Sequence, residues 1–278
     1  AFLVAAGGPL WSSSPTSLVP TPAEVALQDS VGSSIVGFGV HSCAVPGQLG
    51  IPQNVNVAYG VHELDVYDPI TPKALFRSWE DATGTPGGLG NPISVFCPAV
   101  TSATDARRYG VAFVLEPPGV AGPEGAVFDR HVDGESLYRI PHAAAATLTS
   151  APQGSTPGPG VSGTPVDVDH PGPASWKIVT HGTSPQVLRL HLTDVPGWHA
   201  TIDGRPLRLE PFSETMLQAR VPAGRHTVEL RYWPGVFSIG LTVAICSAVG
   251  LSVALAWSAT RRRIERTRGD RDPTVTGA

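Results

Sequence analysis

The sequence has few charged residues for its length. Only 15% of its 278 residues are Asp, Glu, Lys or Arg, against about a quarter in typical soluble domains. The formal net charge of −4 gives no general attraction to nucleic acid, so no nucleic-acid partner is expected. A hydrophobic content of 41% still allows a sizeable core, which excludes a chain that is disordered throughout.

Sequence motifs of common catalytic and metal sites are also missing. No G-x-S-x-G, P-loop, H-E-x-x-H or C-x-x-C pattern occurs. Four histidines fall in one strand-rich region, but without a tight ligand spacing they are typical of surface and turn positions: His181, His191, His199 and His226. We therefore expect no catalytic residue, no metal site and no cofactor.

Glycine and proline, in contrast, are abundant. The 31 glycines and 28 prolines make up about a fifth of the chain, against an average near 12%, which favours turns and short strands. The patterns predict an α+β fold. Its parts are the end of a truncated membrane helix with a connector (1–19), a mixed α/β domain (20–150), a Pro/Gly-rich linker (151–174), a compact antiparallel β-sandwich (175–234), a transmembrane helix (235–258) and a basic tail (259–278).

Local signals support the two folded parts. A capping box at residues 21–24 opens a helix that ends near Gly32, and a second helix covers about 72–79. Alternating or apolar runs predict strands at 34–40, 111–116, 136–140, 176–180, 187–192, 198–202, 206–209, 215–221 and 227–232. Asp203-Gly204 is a strong hairpin signal between two of them.

Residues 236–257 are 22 residues without a charge. As a helix they extend about 33 Å, enough to cross a hydrocarbon core of about 30 Å. Trp233 and Trp257 lie at the ends as interfacial aromatics, and an arginine cluster at 261–268 follows. A buried core helix is the alternative. We expect a helix in the bacterial plasma membrane lipid bilayer, with residues 1–234 outside and the tail cytoplasmic.

The chain begins with eleven mostly apolar residues, 1–11. A helix of that length reaches only about 16 Å, too short for a bilayer. The segment is expected to be the outer end of a truncated membrane helix of a larger multi-pass protein. A buried strand or loop of a complete protein is the alternative.

Three cysteines remain to be placed. Cys246 lies within the predicted span, so Cys43 and Cys97 are the only two in the exported part. An oxidising compartment permits a disulfide between them, and two buried free thiols are the alternative.

Two stretches of the predicted sandwich carry a recognisable pattern. Residues 194–204 (DVPGWHATIDG) resemble the "PGW-x-(A/V)-x-(V/I)-D-G" hairpin of the YfhO family of bacterial multi-pass membrane proteins, and residues 221–228 (VPAGRHTV) resemble its "PAG-x-H-x-V" turn. Similar segments follow the family's order at 58–60, 66–69, 107–115 and 138–141.

The resemblance implies a protein of the glycosyltransferase C superfamily. Such enzymes move a sugar from a polyprenyl-phosphate donor to a cell-envelope glycan acceptor outside the membrane. Their catalytic acids lie in an early extracytoplasmic loop, and none is carried over here. We expect a non-catalytic part that positions the acceptor. The alternatives are a single-pass anchored binding or scaffold module and, least favoured, an autonomous hydrolase.

Three residues are candidates for sugar binding. Asp68, together with Asp65, flanks Tyr67 in a predicted loop, where carboxylates are able to bind sugar hydroxyls or a cation. An Asp-Pro turn that caps its own backbone is the alternative. Trp198 offers an aromatic face for a pyranose ring, or else is a core residue of its hairpin.

Overall fold

The computed structural model describes residues 20–44, 49–51, 56, 58–67, 71–88, 95–150, 163–172 and 174–269, with the backbone alone for 44, 66, 67 and 262–269. The fold is α+β, as the sequence predicts. Its elements up to residue 139 are α1 Pro22–Val31, β1 Ile35–Phe38, a 3-10 turn Ser42–Ala44, β2 His62–Glu63, β3 Val66–Tyr67, α2 Lys73–Thr83, β4 Val95–Phe96, α3 Ala103–Arg108, β5 Val111–Glu116, β6 Val127–Val132 and β7 Glu135–Arg139.

Helix α1 begins with the predicted capping box. The Thr21 amide donates to Glu24 Oε2 at 2.6 Å, and the Glu24 amide donates to Thr21 Oγ1 at 3.3 Å. Helix α2 runs four residues further than predicted and ends at Gly84, whose φ of 70° is left-handed. Both helices are therefore set by local signals at their ends.

The strands before residue 140 form a mixed five-stranded sheet in the order β2-β1-β5-β7-β6. Strand β1 pairs parallel with β2 and with β5, whereas β7 pairs antiparallel with β5 and β6. Strands β3 and β4 form a separate short pair. Strand β2 is the first strand in this order and, among the described strands, pairs with β1 alone, so it lies at an edge of the sheet.

The remaining strands form two further five-stranded sheets, with orders β10-β11-β17-β13-β14 and β15-β16-β12-β8-β9. Trp176, Ile178 and Thr180 of β11 are buried and alternate with more exposed residues, and β9 contacts β11 of the other sheet. This is the layered arrangement of a sandwich. The strands are β8 Ala146–Ser150, β9 Thr164–Val166, β10 Val168–Gly172, β11 Ser175–Gly182, β12 Gln186–Thr193, β13 Trp198–Ile202, β14 Arg205–Leu207, β15 Glu210–Phe212, β16 Met216–Val221 and β17 Gly224–Tyr232.

The sandwich extends beyond its predicted start at residue 175. Strand β8 comes from the predicted α/β domain, while β9 and β10 come from the predicted linker. Residues 151–162 of that linker lie outside the described residues. The short strands were missed because they contain Pro and Gly, which edge strands tolerate.

One hydrophobic cluster also crosses the predicted boundary. Trp79 of α2 and Tyr109 belong to the same buried cluster as Phe212 and Met216 of the sandwich. The Thr215 hydroxyl donates to Ser78 Oγ at 3.3 Å. The described residues up to Val195, together with His199–Arg231, accordingly form one compact unit.

The second compact unit comprises Pro196–Trp198 and the described residues from Tyr232 onward. Its main element is α4, Gly235–Gly269, of which Gly235–Arg261 is long and apolar enough to cross a membrane. The helix buries none of this span against the protein, and Val236 is 77% exposed. An apolar helix without a protein partner is stable in lipid, so the chain is a membrane protein.

Candidate functional site: a cavity lined by histidines and carboxyl groups

A cavity of about 1030 Å³ lies in the first unit. It is bounded by β2, by the start of β11, by the end of β12 and by residues 56 and 58–61. Its lining combines apolar side chains with aromatic and hydrogen-bonding ones. A concave site with a few convergent polar groups is typical of ligand binding.

Two imidazoles stack on the cavity wall. His62 of β2 and His170 of β10 have ring centroids 4.5 Å apart and an interplanar angle of 28°. The His170 ring also meets Trp176 edge-on, with centroids 5.2 Å apart. Burial lowers the pKa of both histidines, and their mutual repulsion lowers the pKa of His170 further. Both rings are therefore neutral near pH 7.

Glu63, the next residue of β2, is another residue of the lining. Its Oε1 accepts a hydrogen bond from the Ile51 amide at 3.3 Å, while Oε2 is buried without a hydrogen-bond partner among the described residues. Burial raises the pKa of Glu63 to about 8, with smaller contributions from Asp65 and Glu135. Near pH 7 the group is largely protonated and is able to donate a hydrogen bond.

Asp65 is the second carboxyl group of the lining, and it is 4% exposed. It accepts a hydrogen bond from the Ser42 hydroxyl. Ser42 is next to Cys43, and the structure joins Cys43 to Cys97 in a disulfide with Cα atoms 6.0 Å apart. The bridge thus lies close in sequence to a residue that holds a cavity carboxylate.

His191 of β12 forms another part of the wall. Its Nδ1 donates to the Arg108 carbonyl at 3.1 Å, which leaves Nε2 as a buried acceptor without a partner among the described residues. Burial lowers the pKa of His191 to about 4. A Cβ at Gly110 would lie 2.6 Å from the His191 side chain, so the glycine makes room for the ring.

Four residues of the lining were not predicted from the sequence as site residues: His62, Glu63, His170 and Trp176. No motif marks them, since they come from an edge strand and a Pro/Gly-rich segment that are distant in sequence. The one feature of the sequence that could have drawn attention to β2 is its pair of polar residues, His62 and Glu63, between the apolar Val61 and Leu64. Among the described residues, no group of three His, Cys, Asp or Glu side chains is placed to hold a metal ion.

The structure places the predicted binding residues in three different situations. Trp198 does not line the cavity; its ring lies 5.2 Å from that of Tyr232, within the second unit. Tyr67 pairs through its backbone with Val95, and its side chain is not described. Asp68 lies outside the described residues. Sugar binding by these three residues stays a prediction.

Within the second unit, the Pro196–Trp198 turn packs on the residues that precede α4. The Trp233 amide donates to the Gly197 carbonyl at 2.7 Å. A Cβ on Gly197 would lie 3.0 Å from Pro234, so glycine permits this close approach. Trp233 meets Phe237 edge-on at 4.9 Å. Such aromatic groups at the end of an apolar helix suit the membrane–water interface.

The predicted Asp203-Gly204 hairpin is present, with positive φ angles of 49° and 77° as a type I′ turn requires. Asp203 Oδ2 lies 2.7 Å from His226 Nδ1, and Oδ1 accepts from the Thr227 amide at 2.9 Å. The hydrogen bonds between the two side chains raise the pKa of His226 and lower that of Asp203. These two motif residues therefore stabilise a hairpin and a turn.

Three comparisons with known proteins complete the description of the site. Searches of curated proteins and of solved structures found no match. A comparison with models of protein families did find a match. The matched residues cover strands β11 to β17 and the start of α4, and they therefore include both stretches that carry the hairpin and turn motifs. Residues 173–244 match the family model described as bacterial membrane protein YfhO, which confirms over these residues the resemblance seen in the sequence.

Proposed function

We propose that this chain is the C-terminal extracytoplasmic part of a bacterial membrane protein of the glycosyltransferase type. In this role it binds a cell-envelope glycan acceptor and is not catalytic by itself. The sugar donor, a polyprenyl phosphate, is handled by other parts of the full-length protein. The chain is anchored by α4, with residues 1–234 outside and the tail in the cytoplasm.

The cavity is the observation that carries this proposal. A sugar ring needs aromatic or apolar faces for its C–H surfaces and polar groups for its hydroxyls. Trp176, Tyr59 and the His62–His170 stack supply the faces, and the lining also includes hydrogen-bonding residues such as Asn56 and His191. A volume of about 1030 Å³ is at the upper end of ligand pockets and accommodates more than one sugar unit.

Two further observations support the orientation. An arginine cluster follows the span, and the positive-inside rule assigns that end to the cytoplasm. The disulfide between Cys43 and Cys97 favours an oxidising compartment for the first unit. Thiol labelling of intact cells that carry a single cysteine at Ser258 or Ser184, in a chain without its natural cysteines, tests this orientation.

The binding role is tested on an array of bacterial cell-envelope glycans with the full chain in detergent. We expect at least one glycan to bind, and calorimetry with that glycan then compares variants. His170→Ala should weaken binding about tenfold, or about 1.4 kcal/mol. His181→Ala, an exposed histidine on β11, is the matched control. Absence of binding to every glycan overturns the proposal.

The same calorimetry tests the prediction made from the sequence. If Trp198 or Tyr67 contributes a stacking face, Trp198→Ala or Tyr67→Ala will weaken binding as His170→Ala does. If the cavity alone binds the glycan, both variants will bind as the unmodified chain does.

A further inference from the structure

Two imidazoles of the cavity wall each have one ring nitrogen bonded to the backbone. His191 Nδ1 lies 3.1 Å from the Arg108 carbonyl, and because a carbonyl only accepts, Nδ1 carries the proton. The pKa of His170 is lowered mainly by burial, while a hydrogen bond with the Ser175 backbone acts to raise it, as a bond donated by the ring does. Since His170 Nε2 has no partner among the described residues, Nδ1 is the donor there too. In both neutral rings Nε2 is therefore a hydrogen-bond acceptor.

These two acceptor atoms are buried, and neither has a hydrogen-bond partner among the described residues. An acceptor that is closed to water and left unpaired is destabilising. In His191 the backbone of Gly110 approaches Cβ and Cγ, and Nε2 lies at the opposite edge of the ring. His170 and His191 both line the cavity. A ligand that brings hydrogen-bond donors into the cavity would satisfy both atoms.

The described residues that line the cavity give an ionised ligand group no counter-charge. None of them is Lys or Arg. Glu63 Oε1 accepts from the Ile51 amide, and Asp65 accepts from the Ser42 hydroxyl. Neither of these partners belongs to the lining, and neighbouring residues of a strand point to opposite faces, so Glu63 points away from the face of β2 that carries His62. A phosphate, carboxylate or ammonium group would be buried without a partner of opposite charge, which is costly.

We propose that the cavity binds an uncharged sugar unit of the glycan acceptor, and that Nε2 of His170 and Nε2 of His191 accept hydrogen bonds from its hydroxyl or amide groups. This inference rests on the proposed glycan-binding role. It adds the substrate class, a neutral hexose or N-acetylhexosamine unit, and the two atoms that bind its donors. The C–H face of the sugar lies against the aromatic group formed by His62, His170 and Trp176.

Calorimetry on the full chain in detergent, near neutral pH, tests the preference for an uncharged unit. The probes are glucose, N-acetylglucosamine, glucosamine, glucuronic acid and glucose 6-phosphate. We expect glucose or N-acetylglucosamine to bind about tenfold more tightly than each of the three charged sugars, because only the neutral sugars enter without an unpaired charge.

His191→Asn tests the acceptor atom. Its amide N–H lies near the position of Nδ1 and keeps the bond to the Arg108 carbonyl, but the side chain has no acceptor at the position of Nε2. We expect this variant to bind the neutral sugar about five- to tenfold more weakly. It should melt no lower than the unmodified chain, because an unpaired buried acceptor has been removed, whereas loss of a purely structural imidazole would lower both binding and stability. His181→Asn, at an exposed histidine of β11, is the matched control.

A cycle that combines His191→Asn with the monodeoxy analogues of glucose measures the hydrogen bond itself. We expect one analogue to bind about fivefold more weakly than glucose to the unmodified chain. The same analogue should bind His191→Asn as tightly as glucose does. The cycle compares only binding to one protein at a time, so it decides the role of Nε2 whatever the stability of the variant. His170→Asn is tested in the same way.

The outcomes separate the two proposals. Equal or tighter binding of a charged sugar, or a deoxy effect that is unchanged in both Asn variants, overturns the inference and leaves the glycan-binding role standing. If none of the five sugars binds at millimolar concentrations, the inference is overturned, while the glycan array decides the proposed function separately.

Discussion

Histidine and carboxyl groups meet at two places in the first unit, with opposite electrostatics. In the cavity, burial raises the pKa of Glu63 and lowers that of His191. In the sandwich hairpin, the exposed pair Asp203 and His226 has a lowered carboxyl pKa and a raised imidazole pKa. The residue types are the same, but Glu63 and His191 are largely buried and form no ion pair among the described residues, whereas Asp203 and His226 are exposed and bond each other.

This difference in hydrogen bonding distinguishes a pair that stabilises the fold from groups that are able to bind a ligand. Asp203 and His226 bond each other, Thr227 donates to Asp203 Oδ1 and the Ala223 carbonyl lies 3.1 Å from His226 Nε2, so each of these polar atoms already has a partner within the fold. The cavity groups keep unused capacity at Glu63 Oε2, His170 Nε2 and His191 Nε2, among the described residues. Unsatisfied buried groups with shifted pKa values are a feature of functional sites.

The largest effect is expected from the disulfide, which closes a loop that contains cavity residues such as His62 but not the hairpin. The bridge joins residues separated by 54 positions. Its removal by Cys43→Ser with Cys97→Ser should lower the free energy of unfolding by about 4 kcal/mol in the chain-entropy model. Denaturant unfolding measures the change. Cys246→Ser, in the membrane helix, is the control, and a double variant as stable as this control would contradict the prediction.

The next effect is a steric one on the cavity wall. Gly110→Ala places a methyl group 2.6 Å from the His191 side chain at a φ of 72°. Gly119→Ala has a similar φ of 77° but nothing within 4 Å, so it carries the backbone strain alone. We expect Gly110→Ala to be less stable than Gly119→Ala by about 1–3 kcal/mol, as overpacking usually costs.

Thermal unfolding measures the difference between the two glycine variants, and calorimetry of sugar binding adds a second readout. Gly110→Ala should also weaken binding, because His191 must shift. Equal stability of the two variants would show that the wall is not tightly packed at His191.

Much of the local structure could be predicted from the sequence. The capping box at Thr21, the Asp203-Gly204 turn and the alternation along β11 and β17 are local patterns, and the structure confirms them. The apolar run predicts α4 in the same way, although the helix continues to Gly269. Such signals depend on a few adjacent residues, so one sequence is sufficient.

The cavity could not be predicted in the same way. His62 and His170 are more than one hundred positions apart, and only the packing of β2 near β10 brings their rings together. The family motifs drew attention to Trp198, which the structure places on Tyr232. The family motifs mark residues that form a hairpin and a turn, and they do not mark residues of the cavity.

The pH dependence of stability is the third test. The raised pKa values of Glu63, Glu116 and Glu135, about 8, 7 and 7, mean that their contribution is present below about 4.5 and is lost as pH rises through the folded values. The lowered pKa of His191 acts in the other direction, with stability lost as pH falls from 6.5 toward about 4. Between about pH 4.5 and 6.5 the two losses oppose each other, and because three carboxyl groups act against one imidazole, maximum stability is expected near the acid end of this range.

Two variants should each reduce the loss of stability on one side of this maximum, one toward alkaline pH and one toward acid pH. Glu63→Gln should reduce the loss toward pH 8 by about 1 kcal/mol or more, since one pKa unit corresponds to about 1.4 kcal/mol. His191→Asn keeps a donor for the Arg108 carbonyl and should reduce the loss toward acid. Urea unfolding from pH 4 to 9 measures both, with Glu124→Gln as control. Unchanged curves would show that burial does not shift these groups.

The smallest effect is expected at the hairpin, and its sign is opposite to that at Glu63. The raised pKa of His226 gives stability that is present below 6.5 and lost as pH rises through the folded value, while Asp203 contributes above 3.8. Asp203→Asn keeps the left-handed turn and an acceptor for Thr227 but loses the charge.

This variant should unfold at a slightly lower temperature than the unmodified chain between about pH 4 and 6.5, and the difference should shrink in high salt and at alkaline pH. Thermal unfolding at two salt concentrations measures it. In the exposed pair, removal of the Asp203 charge takes away the ionic partner of His226 and lowers stability. At Glu63, removal of the charge avoids the cost of burying a carboxylate and raises stability at alkaline pH. If Glu63→Gln lost stability near pH 8 as Asp203→Asn does below pH 6.5, the two places would obey the same electrostatics, and the distinction between a structural pair and a binding site would fail.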